Sequence, residues 1–252
     1  MSTVLSVISA KGGVGKTTTT ANLAAALAKR GRQVTALDGN ITTPNLSIHL
    51  GCALYPVTLH DVLAGRATIA EATYRHPAGF HVVPASLSVD DLSIVEPDQL
   101  LAAVRSLGTG RGLILVDGAA GLGREAKAAM ECADSLLIVT NPELPAVTDA
   151  LKAIRVAQRM GRPVAGVVIN RAGAHSSELS AAEISAMLEV PVLATVPEDK
   201  WVHASIAEHM PVVTFKPRSK SARAFTRLAA TVCGEAEPEA GLFSTLLGLL
   251  GR

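Results

Sequence analysis

Seven short runs of consecutive aliphatic and β-branched residues constrain the fold of this chain most: TVLSVIS (3–9), QVTALD (33–38), HVVPAS (81–86), LILVDG (113–118), SLLIVT (135–140), VAGVVIN (164–170) and PVLATVP (191–197). A strand with one wet face alternates apolar and polar residues. Most of these runs do not alternate, which predicts strands covered on both faces. ANLAAALAKRG (21–31) and ELPAVTDALKAIRVAQRMG (143–161) lie between runs and read as helices stopped by glycine. The expected fold class is α/β, a doubly wound, mainly parallel sheet with helices on both faces. Ligands of such sheets bind beyond the carboxyl ends of the strands, so residues that directly follow strands are the informative ones.

Composition agrees with an aliphatic core: 252 residues hold one Trp, two Tyr and four Phe. A net charge of +1 excludes a global pull toward nucleic acid, although not a local basic patch. Cys52, Cys132 and Cys233 are far apart with no C-x-x-C pair, which points to a reducing compartment and away from structural zinc. The start MSTVLSVISAKGG lacks a signal-peptide pattern, and no apolar stretch reaches the roughly 18 residues a membrane span needs. Cytoplasmic residence is the expectation.

SAKGGVGKTT (9–18) follows the first run directly. The usual phosphate-loop pattern asks for Gly, four residues, then Gly-Lys-Ser/Thr. Gly15, Lys16 and Thr17 satisfy its end, Ala10 takes its first glycine position, and an extra lysine, Lys11, precedes Gly12 and Gly13. The physical logic survives: Gly12 to Thr18, with Val14 between the glycines, can turn backbone N–H groups inward at the positive end of a helix. Lys16 can reach the β- and γ-phosphates, and the Thr17 hydroxyl can ligate Mg²⁺.

KGGVGKTT is the deviant form of this loop, and through it the chain resembles the MinD/ParA family of dimerising ATPases over nearly its whole length. That resemblance implies a P-loop ATPase domain over 1–233 that binds ATP with Mg²⁺. It implies that Lys11 acts in trans on the partner subunit's nucleotide. LILVDGAAG (113–121) is similar to the second nucleotide motif, with Asp117 beside the Mg²⁺ shell and Gly121 offering an N–H to the γ-phosphate. TNPE (140–143) puts Glu143 near the dimer face. VVINR (167–171) and TVPED (195–199) imply an adenine pocket of Asn170, Arg171, Pro197 and Glu198. PVTLHDVLAGRATIAEA (56–72) is most similar to archaeal MinD-like proteins.

The family's first switch reads Asp-x-Asp, the second acid positioning the attacking water. This chain matches at Asp38, implied to join Thr17 and Asp117 around the metal, and departs at Asn40, with Gly39 between them also unusual. An amide cannot take a proton, and losing a positioned acid–base group costs ~10²–10⁴-fold where proton transfer matters. An amide still orients water, so slow rather than absent hydrolysis is expected, with a lasting ATP-bound dimer.

CGEAEPEAG is acidic and carries Pro and Gly, so 234–240 reads as a flexible linker. In GLFSTLLGLLGR (241–252), Leu242, Phe243, Leu246, Leu247, Leu249 and Leu250 share one broad helical face. Twelve residues are too few to span a bilayer and enough to lie in its interface. MinD-like proteins end in such a helix, which implies peripheral attachment to the inner membrane face and recruitment of a partner protein. Arg252 is the tail's only basic residue, so binding would rest on apolar burial and on two tails per dimer. The alternative is a ParA-like DNA-segregation ATPase using KPRSKSARAFTR (216–227), with Lys216, Arg218, Lys220, Arg223 and Arg227 against phosphates. A metal or cofactor chaperone of the same fold ranks last, because paired cysteines and a histidine cluster are missing.

Overall fold

The computed structural model describes residues 2–92, 96–108 and 112–235. Most of the expected linker, from 236, and the whole tail 241–252 lie outside the described residues.

All seven apolar runs are strands: β1 (Thr3–Ser9), β2 (Val34–Asp38), β4 (His81–Val83), β5 (Leu113–Ala120), β6 (Ser135–Thr140), β7 (Val164–Ala172) and β8 (Val192–Pro197). An eighth, β3 (Tyr74–Arg75), is two residues long and pairs antiparallel with β4 at one edge. The sheet order is β3-β4-β2-β5-β1-β6-β7-β8, with every other pairing parallel. Successive side chains feed opposite faces. Leu115, Leu137 and Val139 pack with α1 (Lys16–Lys29) and, near the carboxyl end of the chain, the Lys220–Val232 helix. Ile114, Val116, Leu136 and Ile138 pack on the other face with the helices Leu100–Leu107, Arg124–Glu131 and Leu144–Arg159. This two-sided burial is what the unbroken apolar runs require.

In chain order the helices after α1 are α2 (Leu46–His49), α3 (Leu59–Leu63), α4 (Val89–Leu92), α5 (Leu100–Leu107), α6 (Arg124–Glu131), α7 (Leu144–Arg159), α8 (Ala181–Leu188), α9 (Lys200–Ala207), α10 (Val212–Phe215) and α11 (Lys220–Val232). α1 starts at Lys16, five residues before the helix read from the apolar pattern. Its first turns are threonines, whose hydroxyls bond back along the helix: Thr19 Oγ1 to Gly15 O at 2.9 Å and Thr20 Oγ1 to Lys16 O at 3.1 Å.

The end of the described chain departs from a free linker. Glu235 accepts from the guanidinium groups of Arg30 and Arg32 at the far end of α1, the latter at 3.1 Å. No helix among the described residues is long and apolar enough to cross a membrane.

Candidate nucleotide site

β5 lies between β1 and β2, and this order builds the site. Asp38, the last residue of β2, and Asp117, within β5, are register partners, and β5 pairs on its other side with β1, which leads into the loop. Both carboxylates are fully buried. Asp117 Oδ1 accepts from Lys16 Nζ at 2.9 Å and from Thr20 Oγ1 at 3.2 Å, and its Oδ2 from Thr17 Oγ1 at 2.7 Å. Asp38 accepts backbone N–H groups from Leu46 at 2.9 Å and Asn40 at 3.3 Å. Burial, then the charge of Asp117, pushes the Asp38 carboxyl up to about 7, against the pull of Lys16 and those two N–H groups.

The loop itself is shaped around Gly15 and Asn170. Gly15 sits at φ +94°, and a Cβ there would lie 1.9 Å from Asn170 Nδ2. That amide donates to Val14 O at 2.8 Å, while Asn141 Nδ2 donates to Asn170 O at 2.9 Å. Lys11, Gly12 and Gly13 are exposed on the rim, and Lys11 has no partner among the described residues. Thr18 is buried, with its carbonyl held by Asn22 Nδ2 at 2.9 Å.

Of the residues expected around adenine, Arg171, Pro197 and Glu198 lie together, whereas the Asn170 amide is turned to the phosphate loop at Val14 O. Ala172 and Pro197 are register partners of β7 and β8, Glu198 N–H donates to Ala172 O at 2.8 Å, and Arg171 Nε donates to Glu198 Oε2 at 2.8 Å. A register shift in β7 accompanies Arg171 at φ 61°, a left-handed conformation unusual for a residue with a Cβ. Glu143 immediately precedes α7, makes no side-chain bond to its first turn, and is exposed next to Leu144 at 57% exposure.

Two expectations need correction. The Gly121 N–H is not free toward a phosphate, because it donates to Ser9 O at 3.0 Å. The Asn40 side chain is turned into its own loop: its Oδ1 accepts from Thr43 N at 3.4 Å and Thr43 Oγ1 at 3.2 Å, and its Nδ2 donates to Thr43 O. Asn40 is therefore a loop staple in this structure, using a donor that an Asp lacks. Gly39 has a packing reason: a Cβ there would stand 2.8 Å from Val116 Cγ1 and 3.3 Å from Asp117 O.

Sequence reasoning missed Thr20 and Asn141. Thr20 is one of four consecutive threonines, and in TNPE nothing in the spacing distinguishes Asn141 from Glu143.

The donor set suits a hard cation. Thr17, Asp38 and Asp117 offer oxygen only, and among the described residues no group of three or more His, Cys, Asp or Glu converges to hold a metal alone. An ion held by these three residues would need further ligands, which phosphate oxygens and water commonly supply to Mg²⁺.

A family model described as the CobQ/CobB/MinD/ParA nucleotide binding domain matches residues 5–212. The chain belongs to that MinD/ParA family. It is 38% identical to an ATP-binding protein of Methanocaldococcus jannaschii over 259 aligned residues, spanning 100% of this chain and 98% of that one. The cell division ATPase MinD of Pyrococcus furiosus matches with a TM-score of 0.90 and 39% identity over 94% of this chain and 100% of that one. The septum site-determining MinD of Pyrococcus horikoshii, solved with Mg-ADP, matches with a TM-score of 0.90 and 35% identity over 100% of both chains. Against this MinD/ParA background, the loop, the two aspartates and Asn170 fall at one end of the sheet, the end where a nucleotide binding domain of this architecture takes its ligand.

Proposed function

We propose that the chain binds ATP with Mg²⁺, dimerises around two nucleotides, hydrolyses them slowly, and in the ATP state docks on the inner membrane face to position or regulate a partner protein. The observation that carries the nucleotide reading is the convergence of Lys16, Thr17 and Thr20 on buried Asp117 at the head of α1. These groups hold one another before a ligand arrives, so little ordering is lost on binding. Mg²⁺, when bound, supplies positive charge to the phosphate oxygens. Lys16 would add a fixed charge, Thr17 and the two aspartates would hold the metal's shell, and Asn170 holds the loop through Val14 O.

Lys11 supports the dimeric reading: an exposed, unpaired lysine on the rim suits a reach across an interface. Slow turnover rests on Asn40. Its amide is engaged at both ends by Thr43 and cannot accept a proton from water. The adenine pocket of Asn170, Arg171, Pro197 and Glu198, the acidic linker and the membrane tail belong to the same proposal. Co-sedimentation with vesicles tests it: ATP, and not ADP, should bring the full chain down, and removal of residues 241–252 should abolish this. Equal sedimentation with either nucleotide would refute the switch.

A second reading has one observation behind it. Lys216, Arg218, Lys220, Arg223 and Arg227 are all exposed around the start of α11, and none forms a salt bridge among the described residues. Phosphates of DNA would suit that row. Salt-dependent retention of duplex DNA by the chain without 241–252 would favour it.

A further inference from the structure

His60 belongs to no nucleotide motif, yet it touches the loop that carries Asn40. It sits on α3 with its ring fully buried. Ser86 N–H donates to its Nδ1 at 3.0 Å, which leaves that nitrogen unprotonated. The ring proton is therefore on Nε2, which lies 3.1 Å from the carbonyl of Ile41 and donates to it. Burial holds the ring below its ordinary pKa, in keeping with a neutral imidazole.

Beyond Ser86 the contacts run to the surface. Ser86 Oγ donates to Asp91 Oδ2 at 2.7 Å, and Asp91 Oδ1 accepts from the exposed Arg66 at 2.9 Å. Arg66 also donates to Asp61 Oδ1 at 3.0 Å, and Asp61 caps α3 through Thr58, at the head of the helix that bears His60. A core histidine satisfied within its own helix would explain none of this. The partners of His60 are backbone groups of two loops, one after β2 and one after β4. The second loop is also tied to α3 by Leu59 N–H donating to Pro84 O at 2.7 Å.

We propose that His60 is a positioning residue that fixes the backbone of the first switch at Ile41 and couples it to the Arg66–Asp91 pair, in which Arg66 is exposed and Asp91 half-buried. The proposal rests on the reading of residues 38–46 as a nucleotide switch only for its consequence in turnover; the coupling itself stands on the geometry. A contact at Asp91 would then reach the 39–46 loop through the side chains of Ser86 and His60, and one at Arg66 through Asp91 as well. Coupling of this kind is credible only if both ends bias one element, here the 39–46 loop.

Amide hydrogen exchange of the full chain, read at residues 39–46 and in β1, tests it with His60→Leu, His60→Gln, Arg66→Ala and the double variant His60→Leu/Arg66→Ala. Gln keeps one acceptor and one donor, so it should restore most of the protection that Leu loses. Leu should speed exchange at 39–46 by about tenfold and leave β1 protected. Arg66→Ala should speed the same amides severalfold in the native background and add nothing in His60→Leu. Unchanged exchange at 39–46 in both His60→Leu and Arg66→Ala, or equal Arg66→Ala effects in the two backgrounds, would overturn the proposal. Should His60→Leu fail to fold, Arg66→Ala alone decides it, since unchanged exchange there removes the coupling. ATP turnover in the same samples separates the two levels: predicted exchange with unaltered turnover keeps the positioning role and removes the switch reading.

Discussion

Asn170 Nδ2 donates to Val14 O at 2.8 Å, and a Cβ on Gly15 would lie 1.9 Å from that nitrogen. Gly15 is fixed twice, by this approach and by its φ of +94°. Gly15→Ala should therefore lower nucleotide affinity about a hundredfold or more with the helical content unchanged, because the loop must give way and the sheet need not. Calorimetric titration with ATP beside far-UV circular dichroism checks this. Near-native affinity would show that the loop does not depend on Asn170.

The Lys16–Asp117 pair is buried on both sides, with 7% and 0% exposure. Removing the ammonium leaves Asp117 beside Asp38 without its counter-charge. Lys16→Met should cost about 3–5 kcal/mol of stability even in the absence of nucleotide, measured by urea denaturation. A loss confined to nucleotide binding would mean that the carboxylates are stabilised in some other way.

Asp38 gives a pH dependence of defined sign. Its folded pKa of about 7 lies above the ordinary 3.8, so between these values the folded chain holds a proton that the unfolded chain has released. This contribution is fully present below about 3.8 and is lost as pH rises through about 7. Asp38→Asn should thus raise the melting temperature of the nucleotide-free chain in chelator at about pH 8, with the gain vanishing toward about pH 4. A gain that does not depend on pH would place the effect in packing instead.

The buried histidines act in the opposite direction. Burial lowers the pKa of His60 and His76, and partial burial that of His49, below 6.5, so the unfolded chain takes up protons first as pH falls. Their contribution is present above about 6.5 and is lost on acidification below it. Melting curves of His60→Gln should show a shallower loss on acidification below about pH 6.5 than the native chain. An unchanged slope would remove His60 from this linkage.

Much of this was legible in the chain because period and position carry it. Unbroken aliphatic runs dictate strands covered on both faces; Asp38 ends β2, Asp117 and Asn170 lie near the carboxyl ends of β5 and β7, and Gly15 and Lys16 close the loop between β1 and α1. What could not be read depends on contacts that spacing does not reveal. Asn40 looks like a lost carboxylate until Thr43 is seen folded against both ends of its amide. Gly121 looks free until its N–H is found on Ser9 O. Gly39 has no local reason, because its constraint comes from Val116 on the neighbouring strand. His60 carries no motif at all, since its meaning lies in Ile41 and Ser86. β3 is too short to show a period.

Whether Asn40 governs a slow, ATP-held dimer is tested most directly by Mg²⁺-ATP turnover measured together with oligomeric state, for the native chain and for Asn40→Asp. The native dimer should persist with ATP and turn over slowly. The Asn40→Asp variant should turn over at least ~10²-fold faster and return to monomer. It should also lose about 1 kcal/mol of stability with the bond to Thr43 O. Rapid turnover by the native chain, or a monomer in saturating ATP, would contradict this reading of Asn40.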